Sequence, residues 1–291
     1  MLLLVQIAYS ANDSLTLLNE LKPVLNDLID DEKVDPEVRG ACVKTLGLAL
    51  FTVNESSQDM VGVLEKFEAI FSNSYAKGDG TLRTLAPKVY DFHANTLSTW
   101  CLLLSIMPLH FVNKLAQKHV IHFLDFLKSP DVDLRIVAGE TIALLSELAH
   151  LDPNSDISCF EDDELIEQLK LLANDSAKYR SKRDKKQQRS SFRDVLKTIE
   201  EGELSSQTIK FGSENLYIDN WIKRKQYETF KELLTTGLNT HLQENEFIRE
   251  VFDLGMPIVS CDASRRSNLN AMSPSQRARF NRDQFRYRTK S

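Results

Sequence analysis

Three histidines make the one arrangement in this sequence that suggests a metal: His119 and His122 lie three apart on one helix face, with His110 upstream. Imidazoles so placed could take zinc, but a site needs three or four converging ligands. No acid or cysteine lies close in sequence on that face, and the neighbours Ile121 and Phe123 are core-like. The pair reads as packing or surface, and neither metal nor cofactor is expected. Glu161-Asp-Asp-Glu164 could draw a cation, yet acids in a first helical turn already complement the macrodipole. The Gly78-Asp-Gly80 turn is too short for a phosphate cradle and lacks its lysine and threonine. Neither a His-Glu-x-x-His pair nor a Gly-x-Ser-x-Gly elbow occurs. The chain reads as non-enzymatic, with no small-molecule substrate.

Charge carries more information. Residues 1–177 hold 13 basic against 27 acidic residues, and residues 178–291 hold 23 against 15. A molecule so divided is expected to turn its basic end toward a polyanion while the whole stays soluble. Two elements carry the positive charge. In the first, Lys178, Arg180, Lys182, Arg183, Lys185, Lys186, Arg189 and Arg193 run into the apolar stripe Phe192, Val195, Leu196 and Ile199. That stripe would dock a helix and leave the basic side chains projecting from an anchored element. The second is the tail, where Arg277, Arg279, Arg282, Arg286, Arg288 and Lys290 interleave with Phe280, Phe285 and Tyr287. Arginines with aromatics suit phosphate contacts and base stacking, each contact adding salt dependence. The plainer readings are a solvated charge run or import signal for the first, and a disordered terminus for the second.

The elements that must hold these residues are helical. Leu15, Leu18, Leu21 and Leu25 recur at threes and fours, as do Val61, Leu64, Phe67, Ile70 and Phe71, and the strand-like alternation of apolar residues is nearly absent. Breaks fall at Asp35-Pro36, the Gly78–Gly80 turn, Met107-Pro108, Ser129-Pro130 and Asp152-Pro153, where prolines and acids suit new helix starts. Two starts match: Val38-Arg39 aligns with Leu134-Arg135, and Leu46 then falls on Ile142. The separation is about two repeats of the armadillo or HEAT kind. Arg39 and Arg135 should therefore open equivalent inner helices, their stems packed on the neighbouring repeat. An irregular helical bundle is the alternative.

The four cysteines, Cys42, Cys101, Cys159 and Cys261, are widely spaced, which suits free thiols in a reducing compartment. The Asn-x-Ser sequons at Asn12, Asn54 and Asn174 carry no meaning there. No apolar run reaches the roughly 20 residues of a membrane span, and no membrane partner is expected. The apolar opening Met1–Ala8 lacks a signal peptide's flanks and reads as the inside of a repeat, so the N-terminus is expected to be truncated.

At Lys178-Tyr-Arg-Ser-Lys-Arg-Asp-Lys-Lys-Gln-Gln-Arg-Ser-Ser-Phe-Arg-Asp-Val-Leu196 the sequence closely resembles the interferon-related developmental regulator family. Thr208–Gly212, Tyr217–Trp221, Thr229–Leu233, His241–Phe247, Val251–Gly255 and the stretch Val132–Leu148 fit the same family. The resemblance implies an armadillo-like N-terminal domain, a small family-specific C-terminal domain and no enzymatic activity. It implies co-regulators of transcription in differentiation that engage repressor and deacetylase complexes. It also implies binding to idle ribosomes, where a C-terminal helix occupies channels used by mRNA and tRNA. The chain departs from the family at its polar leader, and at its close, where Phe285–Lys290 resembles only the start of a longer basic helix.

The expectation is an all-α protein: an armadillo/HEAT-like solenoid over 1–177, an all-helical C-terminal domain with a basic entry segment over 178–260, and a basic tail over 261–291, disordered until bound. It would act on ribosomes and ribosomal RNA, repressing translation by occupying functional sites. The alternative is a transcriptional scaffold for nuclear co-repressor proteins, using the concave face of the solenoid. Both cytoplasmic and nuclear localisation follow.

Overall fold

The computed structural model describes residues 11–53, 57–153, 155–174, 182–202 and 204–257. The opening Met1–Ala8, the start of the basic run and the tail from Ser273, with its expected disorder, lie outside them. Contacts divide the chain into two compact units, Met1–Leu238 and Asn239–Ser291.

In the first unit, prolines and acids set helix starts as their chemistry requires. Asp35 Oδ1 accepts the Glu37 N–H at 3.0 Å, and Asp131 Oδ1 accepts that of Leu134 at 2.7 Å. The helices are α1 (Ala11–Asp30), α2 (Pro36–Val53), α3 (Ser57–Phe71) and α4 (Pro87–Leu104). They continue as α5 (Leu109–Leu127), α6 (Val132–His150), α7 (Asp163–Asn174) and α8 (Lys182–Glu201). They pack as successive pairs: α1 on α2, α3 on α4, α5 on α6, α7 on α8. The second members form an inner row, α2 against α4, α4 against α6, and α6 against α8. This is the stacked-pair architecture of an α-solenoid. Inner helices meet neighbours on several sides, which is why α2 and α6 are apolar nearly all round.

Close approach along the row needs small residues. A Cβ on Gly47 of α2 would stand 2.0 Å from Thr99 Cγ2 of α4, and one on Gly139 of α6 would stand 2.6 Å from Phe192 Cε1 of α8. Arg39 and Arg135 both lie in the first turns of inner helices and reach back to a carbonyl near the end of the preceding helix. Arg39 Nε donates to Ile29 O at 2.8 Å, and Arg135 Nη1 donates to Ser129 O. Each also meets the next inner helix: Arg39 lies over the Phe92 ring of α4, and Arg135 bonds Gln188 of α8.

One expectation needs correction: the segment after α8 is not all helical. β1 (Gln207–Phe211) and β2 (Glu214–Ile218) form an antiparallel hairpin. Leu216 and Ile218 alternate inward with Phe211, and the Gly212-Ser213 turn has Gly212 at φ 53°. Tyr217 thus points outward, 57% exposed. That helix, α9 (Trp221–Leu234), buries Trp221, Tyr227, Phe230 and Leu234 and packs on α4 and α6.

The second unit contains α10 (Leu238–Glu244) and α11 (Glu246–Val251), the latter started by Asn245, whose side chain accepts the Ile248 N–H at 3.0 Å. Arg249, 1% exposed, ties this segment together by donating to the carbonyls of Leu242, Leu254, Gly255 and Met256. Gly255, at φ 69°, closes the turn.

Candidate functional site

The basic run enters the solenoid as a structural rung. Of the candidate contact residues, Lys178 and Arg180 lie outside the described residues, as do Arg277, Arg279, Arg282, Arg286, Arg288 and Lys290 of the tail. Lys182, Arg183 and Lys185 fall in the opening turn of α8. Lys186 and Arg193 are exposed, and Arg189 is half-buried. The positions 186, 189, 193 and 197 recur at threes and fours, so Lys186, Arg189, Arg193 and Lys197 share one face of the helix.

The opposite face is fixed to α6. Gln188 Oε1 accepts from Arg135 Nη2 at 2.9 Å and Nε at 3.3 Å, with both residues almost fully buried. Ser191 donates to Glu140 at 2.6 Å, and Phe192 fills the space over Gly139. The cationic face is therefore presented by a locked element, as the apolar stripe required.

α9 lies on the side of the inner row away from the outer helices. Its first N–H groups, at Trp221 and Ile222, donate to the two oxygens of Glu147 at 2.8 and 3.3 Å. Burial pushes the Glu147 carboxyl up, against the pull of those two N–H groups. Trp221 Nε1 donates to Thr198 of α8 at 2.7 Å, and Arg224 pairs with Asp194 at 2.8 Å. At the other end Lys44 of α2 pairs with Glu232 at 2.7 Å, and Phe51 meets Phe230 edge-on at 6.0 Å. The face open in the sequence-based scaffold reading is thus partly covered by the chain's own helix.

Between α9 and the inner row remains a groove of about 1290 Å³. Its floor repeats with identical spacing in three helices. Glu37, Ala41, Thr45 and Leu48 of α2 correspond to Asp91, Asn95, Thr99 and Leu102 of α4, and to Asp133, Val137, Thr141 and Leu144 of α6. Each threonine hydroxyl donates to the carbonyl four residues back, at 2.7–2.8 Å. The sequence comparison of Arg39 with Arg135 stepped over the middle copy, because His93 stands there in place of arginine. The threonines were the available signal.

His93 is buried, its Nδ1 2.5 Å from the Ser74 hydroxyl; burial and then the nearby Arg39 charge push it down to about 4. It is neutral at physiological pH. His119 is also buried, between Glu68 Oε2 at 2.9 Å and the Tyr75 hydroxyl at 2.7 Å, and His122 stacks on Tyr75. Glu68, from α3, is an acid the local sequence did not offer. Burial opposes its ionisation, but the bonds from His119 and Lys118 outweigh that and hold it low. This network is packed among Phe71, Trp100 and Phe123, away from the groove lining. Among the described residues no group of three or more His, Cys, Asp or Glu is placed to hold a metal. Asp162 caps α7 and Glu164 pairs with Lys128 at 2.7 Å, so that acidic run serves a helix start. Among the described residues no helix is long and apolar enough to cross a membrane.

Comparison with known proteins places these features in a family context. The family described as interferon-related developmental regulator matches residues 1–200. Interferon-related developmental regulator 1 of Mus musculus is 39% identical over 279 residues, covering 96% of this chain and 62% of that protein. The Homo sapiens counterpart is 38% identical, with 96% and 61% covered. Interferon-related developmental regulator 2 of Mus musculus is 35% identical over 275 residues, with 94% and 62% covered. The chain thus spans a little over three-fifths of the length of these relatives.

Proposed function

The chain belongs to the interferon-related developmental regulator family, and from that premise we propose that it is a non-enzymatic regulator that binds ribosomes through RNA contacts of its basic C-terminal half. Occupying functional sites there, it represses translation. The observation that carries this reading is the exposed cationic face of α8 on a helix locked to α6 by Gln188, Ser191 and Phe192. A charge run on a loose tail must be ordered on binding, at about 1–2 kcal/mol per residue. Basic residues on a docked helix avoid most of that cost. The basic tail that follows adds further phosphate contacts. Co-sedimentation with ribosomes at rising salt tests the reading. Association strong at low salt, and lost when Lys182, Arg183, Lys185 and Lys186 become Glu, is the expected result. No association at low salt, or no effect of the substitutions, refutes it.

A second reading, a scaffold for transcriptional co-repressor and deacetylase complexes, is favoured by the groove along the inner row. Co-precipitation of nuclear partners by the full chain, reduced by Asp91→Asn/Asp133→Asn in the groove and not by Arg193→Glu on α8 outside it, separates it from the first. Cytoplasmic and nuclear pools would serve the two readings respectively.

A further inference from the structure

The groove's floor presents one carboxylate per rung at its N-terminal margin: Glu37 from α2, Asp91 from α4 and Asp133 from α6, at equivalent positions of three successive inner helices. All three are exposed. Packed helices stand roughly 8–10 Å apart, so the carboxylates form a ladder of that period. The ladder ends at α6, because α8 places Lys186 beside the groove instead.

The lining as a whole is acidic, with six carboxylates against four cations. Lys44 is paired with Glu232 and Arg224 with Asp194, while Lys225 donates to the neutral Ser98 and keeps its charge. Lys88 lies 3.7 Å from Glu37 but is shared with Asp35, which it meets at 2.8 Å. Below the acids the floor becomes apolar at Leu48, Leu102 and Leu144. Such a surface suits a ligand with positive side chains at a fixed period and an uncharged backbone between them.

We propose that this groove binds an extended, arginine- or lysine-rich segment of a partner protein, with one basic side chain per rung. The period selects the conformation. A polyproline-II segment advances about 3.1 Å per residue with three residues per turn, so every third side chain returns to the same face roughly 9 Å further on. That matches the rung spacing. Basic residues at i, i+3 and i+6 meet Glu37, Asp91 and Asp133, whereas three adjacent ones reach no more than one rung well. Partial desolvation, with the Asp131 and Glu37 charges adding to it and Lys44 opposing, pushes the Asp91 carboxyl up. The inference rests on the scaffold reading and deepens it by naming the chemistry of the bound segment.

The test uses the full chain and a fluorescein-labelled nonapeptide of proline and serine with arginine at every third position, read by anisotropy at low salt. Comparison peptides carry the three arginines side by side, or aspartate in their place. Saturable binding of the spaced peptide is expected, weakened about tenfold in Asp91→Asn/Asp133→Asn, with ribosome co-sedimentation unchanged. Should that pair lower the melting temperature, Asp91→Asn alone, at an exposed side chain, carries the comparison. Equal binding of the two arginine registers, or undiminished binding by the variants, overturns the inference. So does a preference for the aspartate peptide, which would leave the scaffold reading standing. Failure of all three peptides, with nuclear partners still captured through the groove, likewise overturns only the basic-segment inference.

Discussion

Arg135 of α6 and Gln188 of α8 are joined by two hydrogen bonds to one oxygen, at 2.9 and 3.3 Å, in a site where the arginine is 2% and the glutamine 1% exposed. The helix α8 is thereby fastened to the same arginine that marks the inner-helix repeat. Replacing Gln188 with Ala removes an acceptor from a buried guanidinium, and a loss of about 1–3 kcal/mol is expected in urea unfolding. A change within a few tenths of a kcal/mol would show that the pair is incidental.

Gly139→Ala probes the same interface from its apolar side. Its Cβ would stand 2.6 Å from the Phe192 ring, so the ring or α8 must move. We expect about 1–3 kcal/mol of destabilisation. Ribosome association should weaken with it, because the cationic face loses its seat. Full stability with undiminished binding would contradict a locked α8.

Glu147 should behave as the cap of α9. Removal of both acceptors in Glu147→Ala leaves the Trp221 and Ile222 N–H groups unpaired by it, costing about 1–3 kcal/mol. Glu147→Gln keeps one acceptor and relieves a carboxyl that burial disfavours, so it should cost less than Ala. The opposite order would mean that charge, rather than hydrogen bonding, holds α9 in place.

Acid should destabilise the first unit through His93. Its pKa falls from the usual 6.5 to about 4 in the folded protein, so the unfolded chain binds the proton more readily. The contribution of the neutral imidazole is fully present above pH 6.5 and is lost as pH falls toward 4. The span is about 3 kcal/mol at most. Stability measured across that window should slope less steeply in His93→Asn than in the parent chain. Parallel slopes would contradict the assignment.

The solenoid was legible because two of its inner helices repeat an arginine and the apolar residues that follow it. Arg39 and Arg135 both reach back to a backbone carbonyl near the end of the preceding helix, Ile29 O and Ser129 O, so the physical task repeats and the residue repeats with it. The intermediate copy stayed hidden behind His93, which solves the packing differently, as a neutral ring paired with Ser74. The hairpin was less visible because its strands are five residues each, with polar residues between the few apolar ones. A period of two hardly accumulates over that length. The groove could not be read locally at all. Its floor spans three repeats, and its wall is a helix that begins 80 residues after the α6 threonine, at Trp221. The cationic face of α8, in contrast, follows directly from where Phe192 and Val195 interrupt the charge.

The central claim is that this face makes phosphate contacts on the ribosome, and the most direct measurement is the salt dependence of ribosome association for Lys186→Glu/Arg193→Glu beside the parent chain. Both side chains are exposed, so the variant should keep its melting temperature. If each residue neutralises one phosphate, the slope of log K against log salt should become shallower by about 1 per residue, with weaker binding at every salt concentration. An unchanged slope and affinity in a folded variant would contradict the account.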